Sequence, residues 1–303
     1  QKNTDTVFNF ETEGINMYVE GDWIKAKGTT LGADNGIGVA SIMALLASVS
    51  IPHPAVEALF TIDEETGMTG ALGLKAGLLD AGILLNLDTE DDDELTIGCA
   101  GGIDVSAIGK YESEKTASEN AAYRLSVKGL TGGHSGMDIY KGRANANKMI
   151  NRVLITASEN FNLRISKIDG GGLRNAIPRE SYADIVIPLG SVEKFIAFIK
   201  EIGATLQNEF SVTDPKLILV FEKIEMPETI VDIEFQNKLL RTLAACPNGI
   251  YRMSPEINGL VQTSNNIARV LVDGGGFKIL CLTRGSVNSE KMDLAKTICH
   301  TFE

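Results

Sequence analysis

Four carboxylates in the first ninety residues have the types and spacing to hold a cation. Asp34 lies in the glycine-rich stretch GADNG, Glu64 and Glu65 are adjacent in TIDEETG, and Asp88 terminates the apolar run ILLNLD. Carboxylates brought together repel one another unless a proton or a cation compensates. A divalent metal that accepts oxygen ligands (manganese, magnesium or zinc) would do so. Two neighbouring glutamates project in different directions, so one can bind metal while the other addresses a water. Plainer readings stand beside this one. Asp34 also suits a turn or helix N-cap, Glu64 and Glu65 an exposed pair at a strand end, and the acids at 90–94 a solvated turn. Asp88 is harder to explain by solvation, because it ends an apolar strand.

The chain has three histidines. His53 sits between prolines in IPHP and reads as a surface turn. His300 lies near the end of an amphipathic helix, where a cation suits the dipole. His134 is different, because glycines flank it in GGHSG and let a loop approach a ligand closely. An imidazole there could donate to an oxyanion or a carboxylate. Arg174 in GGLRNAIPRE and Arg284 at the end of KILCLTR could each grip a carboxylate in bidentate fashion, or form a surface ion pair. A competing phosphate-loop reading rests on Gly36 and Gly38. It lacks the third glycine, and no GK[ST] occurs anywhere.

The elements that must position these residues follow from periodicity. Residues 21–30 predict a short strand and turn, and an apolar helix runs to about Ser48. Residues 55–63 and 83–88 predict buried strands, with a helix from about Gly70 to Ala81 between them. That is a βαβ unit with parallel strands, which would place Glu64, Glu65 and Asp88 on one sheet edge. The polar stretch 111–121 reads as a connector. Beyond it come a strand (122–130), the GGHSG loop, a helix (144–160), strands (162–169 and 180–188) and a helix (192–210). A similar order recurs as strand 216–223, helix 231–245, strands 259–271 and 276–284, and helix 289–302. This is a split-βαβ pattern, duplicated. The expected fold class is α/β: a first domain over 1–105, then an α+β domain over 106–303 with halves at about 118–212 and 213–303.

Composition sets outer bounds. A chain of 303 residues with 44% hydrophobic and 22% charged residues can bury a sizeable core in about two domains. A net charge of −12 argues against a nucleic-acid or anionic-membrane partner. The four cysteines form no CxxC pair and read as reduced thiols. No leader and no apolar stretch long enough to span a bilayer is apparent, so the cytoplasm is the expected location.

Several long motifs carry a resemblance. GTTLGADNGIGVA, TIDEETGMTGALGL, LLNLDTED, GCAGGID, GLTGGHSGMDI, GGLRNAIPRE and the stretch from CPNGI to TSNN resemble the aminoacyl-histidine (Xaa-His) dipeptidases of the M20 metallopeptidase family. The similarity covers nearly the whole chain in the right order. It implies an M20-type catalytic domain with an inserted lid of split-βαβ, ferredoxin-like units. It also implies two divalent metal ions, zinc in the first place with manganese or cobalt as alternatives. By resemblance Asp34 bridges the metals, Glu65 and Asp88 each ligate one, and Glu64 is the general base. His134 is the lid histidine that stabilises the tetrahedral intermediate. Arg284 and Asn266 hold substrate, with Asn175 a further candidate.

The implied function is hydrolysis of dipeptides, Xaa-His in particular, by a two-metal-activated water. The alternatives are an M20 peptidase or acylamino-acid hydrolase of other specificity, or a non-catalytic binding module. The family places an HxD motif upstream of Gln1 and a further ligand histidine beyond Glu303. The chain therefore carries three of five expected protein ligands, and by itself is expected to bind metal poorly and be inactive. The expected partner is a small peptide, with a homodimer as the alternative assembly. If the lid is duplicated, one chain supplies both halves and dimerisation is not needed to complete the site.

Overall fold

A computed structural model of the chain describes residues 6–64, 67–89, 93, 95 and 99–303. It divides into two compact units, Gln1–Ile97 and Gly98–Glu303. The division falls some residues before the boundary expected at 105, because the strand starting at Gly101 belongs to the second unit.

The first unit holds a hairpin of β1 (Met17–Glu20) and β2 (Trp23–Ala26), then α1 (Ala33–Ala47) and the single-turn α2 (Thr69–Leu72). α1 matches the expected helix. Its regular part starts after Asn35, since Asp34 and Asn35 have non-helical backbone angles and the peptide between them is cis. Asn35 Oδ1 accepts from the Gly38 amide at 3.1 Å, which satisfies one of the first-turn donors that a helix leaves open.

Among the described residues the predicted βαβ unit is not formed. Residues 55–63 and the described part of 83–89 carry no strand pairing. A strand in an α/β sheet needs hydrogen-bonded neighbours and covered faces. Here Ile83, Leu84 and Leu85 are 81%, 76% and 79% exposed, so the apolar run lacks the neighbours it is composed for. The helix expected over 70–81 stops at Leu72. Gly73 follows, and Gly77 takes a φ of 78°, a left-handed conformation that a continuing helix excludes.

The second unit is built on one antiparallel sheet. Its elements are β3 (Gly101–Lys110), β4 (Ser113–Lys115), β5 (Asn120–Lys128), β6 (Gly133–His134), α3 (Ala146–Phe161), β7 (Arg164–Gly171), β8 (Ala176–Ile177), β9 (Ser181–Pro188), α4 (Val192–Glu209), β10 (Ile218–Lys223), β11 (Thr229–Val231), α5 (Ile233–Ala245), β12 (Gly249–Met253), β13 (Val261–Asp273), β14 (Gly276–Gly285) and α6 (Asn288–Phe302). The main sheet runs β10-β5-β9-β7-β13-β14-β3, and β12 pairs with β13. β4 pairs with β11 and β6 with β8. The predicted strands and helices beyond residue 120 coincide with these elements to within a few residues.

The sheet order exposes the duplication and changes its bounds. β5, α3, β7, β9, α4 and β10 make one split-βαβ unit, with β10 next to β5 and β9 between β5 and β7. The strand at 216–223, expected to open the second half, closes the first. The second half takes its first strand from β3, which lies ahead of the whole first half in sequence. β3-β14-β13 repeats the order β5-β9-β7, and the halves join where β13 pairs with β7. Reading along the chain misses this because the contact between β14 and β3 is long-range.

Four helices form one layer on this sheet. α3 touches α4 and α5, and α5 touches α6. α3 buries Ile150, Val153, Leu154 and Ala157 at the three- and four-residue spacing of one helical face. Its N-cap Asn145 accepts from the amides of Asn147 (3.0 Å) and Lys148 (3.3 Å). The facing side chains Leu125, Val127, Ile165, Ile168, Ile185 and Ile187 are all 1% exposed or less. Each contributes about 1.5–3 kcal/mol of transfer free energy. The alternate residues of the same strands carry cross-strand ion pairs, among them Arg124 with Asp184 and Arg269 with Asp169.

Candidate functional site

In the first unit the structure brings Asp34 and Asp88 together. Their carboxyl groups share a hydrogen bond, and the pKa of Asp88 is raised from its ordinary value. Partial loss of water is the largest cause, followed by the charge of Asp34 and then the hydrogen bond itself. The Asp88 amide donates to Asn86 Oδ1 at 3.1 Å, which orients the end of the apolar run. Glu64 stands exposed in a turn closed by the Met68 amide donating to the Asp63 carbonyl at 2.6 Å. Thr69 Oγ1 donates to Asp63 Oδ2 at 2.8 Å and ties the turn to the start of α2. Glu65 lies outside the described residues.

Two neighbouring carboxylates repel one another, and a cation held between them would relieve that repulsion. Asp34 and Asp88 therefore fit a divalent metal as two oxygen donors. Among the described residues, no group of three or more His, Cys, Asp or Glu side chains converges.

In the second unit His134 and Arg284 are neighbours. The GGHSG loop places His134 in β6, where it pairs with Ala176 of β8. The loop depends on its glycines. Gly133 has a φ of 135°, and a Cβ there would lie 2.4 Å from Asp138 Oδ2 and 2.3 Å from Arg143 Nη1. Asp138 holds the loop by accepting from the His134 amide at 2.9 Å, while the Ser135 amide donates to the Asn175 carbonyl at 2.6 Å. The pKa of Asp138 is lowered, first by its hydrogen bond from Lys141 and then by the His134 amide and Arg143.

Arg284 comes from β14, where Ile279, Cys281 and Thr283 are buried and Arg284 alternates to the other face. Its Nη2 is 3.4 Å from His134 Nε2, and its Nε donates to Ser135 Oγ at 3.4 Å. The Met137 amide donates to His134 Nδ1 at 3.1 Å, so in the neutral ring the proton is on Nε2. The imidazole and the guanidinium then both present N–H groups to the same space. No carboxylate lies within 4.0 Å of Arg284 among the described residues. Burial lowers its pKa and the charge of Asp104 opposes that, yet a guanidinium stays charged. The arrangement can receive an oxygen anion.

Arg174 takes the other of its two predicted roles. It pairs with Asp104 at 3.4 Å and donates to Ser106 Oγ at 2.7 Å and the Cys281 carbonyl at 3.2 Å. Asn266 is 1% exposed. Its Nδ2 donates to the carbonyls of Arg174 (3.2 Å) and Ala176 (2.8 Å), and its Oδ1 accepts from Asn145 Nδ2 at 3.2 Å. That amide is consumed by the backbone that carries β8. His53 and His300 are both exposed and bond locally, to the Pro54 carbonyl and to Glu303. Asp138 was not singled out in the sequence, although an acid four residues after His134 was visible there.

The comparisons with known proteins agree with the resemblance. Residues 125–214 match the family model described as a peptidase dimerisation domain. The chain is 40% identical over 291 residues to the cytosol non-specific dipeptidase of Escherichia coli (strain K12), covering 96% of this chain and 60% of that protein. It is 28% identical over 191 residues to the uncharacterised YqjE of Bacillus subtilis (strain 168), covering 58% and 47%. The crystal structure of the aminoacylhistidine dipeptidase from Vibrio alginolyticus superposes with a TM-score of 0.73 at 40% identity, over 100% of this chain and 62% of that one. The chain is thus similar to these dipeptidases over about three fifths of their length, and the match to the peptidase dimerisation domain falls within its second unit.

Proposed function

We propose that the protein to which this chain belongs is a cytoplasmic, metal-dependent dipeptidase that hydrolyses Xaa-His and related dipeptides. The observation that carries this reading is the 40% identity, over 96% of the chain, to a dipeptidase. Asp34, Glu65 and Asp88 would hold two divalent ions, zinc in the first place, and the closeness of Asp34 to Asp88, whose charge helps raise the pKa of Asp88, supports the part of that pair. Such ions, when bound, lower the pKa of water and polarise a carbonyl. Glu64 accepts the proton of the attacking water and passes it to the leaving amine. His134 and Arg284 donate to substrate oxygens: the imidazole N–H to the developing oxyanion, the guanidinium to the terminal carboxylate. Asn266 acts beside them by fixing the strand that pairs with His134.

The test uses the intact protein with Gly-His, Ala-Ala and Ala-Ala-His. Cleavage of the dipeptides but not the tripeptide, abolished by a chelator and restored by zinc or manganese, is the expected result. No cleavage of any dipeptide with either metal added would refute the reading. The match of residues 125–214 to a dimerisation domain supports a homodimer, which light scattering on the same sample checks.

A further inference from the structure

The loop that carries His134 leaves β5 and returns to α3, so its two ends must be fixed for the imidazole to keep its place. One buried carboxylate does this. Asp214 is 1% exposed and lies in the turn between α4 and β10. Its Oδ1 accepts from the Thr131 amide and its Oδ2 from the Ala144 amide, both at 2.8 Å. Thr131 and Ala144 bracket the whole GGHSG segment. The turn around Asp214 is itself anchored. The Asp214 amide donates to the Phe210 carbonyl at 2.8 Å, the Leu217 amide to the Asp214 carbonyl at 2.9 Å, and Thr131 Oγ1 to the Thr213 carbonyl at 2.7 Å.

The residue type fits this task. A buried carboxylate with no cation within 4.0 Å among the described residues is costly to desolvate. An asparagine would avoid that cost but offers one acceptor oxygen, where two amides from separate segments require two. We infer that Asp214 is a positioning residue for His134: it clamps both ends of the 131–144 loop and so sets where the imidazole sits beside Arg284. The inference rests on the proposed peptidase role of His134 for its catalytic consequence, but not for the clamp itself.

The experiment combines hydrogen–deuterium exchange with a double-mutant cycle on the intact, metal-loaded protein. Asp214→Asn should raise exchange in 131–144 while the segments of β7, β9 and α3 stay protected. It should lower kcat for Ala-His by about 10- to 100-fold, the scale of a misplaced catalytic group, and change KM less. In a His134→Ala background the same substitution should cost little more. Unchanged exchange in the loop overturns the clamp. Equal losses in both backgrounds overturn the positioning role and leave Asp214 a general stabiliser. A His134→Ala variant with normal turnover refutes the peptidase role instead, while the exchange result still decides the clamp.

Discussion

Arg284 Nη2 and His134 Nε2 lie 3.4 Å apart, although the residues are 150 positions apart in sequence. One comes from a long central strand and the other from a glycine loop. Their proximity makes two N–H donors available to one anion, and Gly136 keeps the approach open. A Cβ at Gly136 would lie 3.2 Å from the His134 ring and 3.3 Å from Arg284.

If Arg284 holds the substrate carboxylate, Arg284→Ala should raise KM for Ala-His far more than it lowers kcat. The expected loss in kcat/KM is about 10- to 100-fold, the value of a charge-assisted hydrogen bond at about 1.5–3 kcal/mol. The amide Ala-His-NH2 should lose little. Steady-state kinetics on both substrates checks this, and equal losses for the two would exclude carboxylate recognition.

Glu64→Gln should lower turnover by about 100- to 10,000-fold, the range for removing a general base. Metal content, measured by elemental analysis on the same sample, should not change. Normal turnover would remove Glu64 from the mechanism.

Asn266→Ala should cost stability before it costs chemistry. It removes the donor to the carbonyls of Arg174 and Ala176, while the Asn145 amide keeps its bonds to Asn248 and the Ile267 carbonyl. The expected penalty is about 1–3 kcal/mol, that of a buried unsatisfied group, read from the urea midpoint. A variant of native stability with abolished substrate binding would show instead that Asn266 touches substrate.

Gly133→Ala should destabilise the loop by about 1–3 kcal/mol, because the residue needs a positive φ and the new methyl meets Asp138 and Arg143. Thermal unfolding measures it. Retained stability together with a wild-type activity profile would mean that the loop tolerates another path.

Asp138 gives the loop an acid dependence. Its folded pKa lies below the ordinary value, the Lys141 hydrogen bond being the largest cause. Its contribution is therefore complete above about pH 4, the unfolded carboxylate value, and is lost as pH falls through the lowered folded value. Asp138→Asn should be less stable than the native protein at neutral pH, and the difference should shrink in acid. A difference independent of pH would show that the charge of Asp138 is not what holds the loop.

The sequence by itself determined the elements of the second unit, because those elements carry their own apolar period. The buried stripe Ile150, Val153, Leu154, Ala157 marks α3, and the alternation through Ile279, Cys281 and Thr283 marks β14. It also marked Asp34, Asp88, His134 and Arg284 as chemically unusual, since acids after apolar runs and a glycine-flanked histidine stand out locally. Tertiary structure decided the rest. Only the pairing of β14 with β3 reveals which strand completes the second half of the sheet, and a pairing partner that far away in sequence leaves no local trace. Only packing separates Arg174, neutralised by Asp104, from Arg284. Only the fold brings the Asp214 carboxylate to Thr131 and Ala144. In the sequence that residue is an aspartate before a proline, which reads as a turn. The strands expected around Glu64 and Asp88 fail for the complementary reason. A β-strand is defined by its neighbours, and an apolar run specifies the need for them without supplying them.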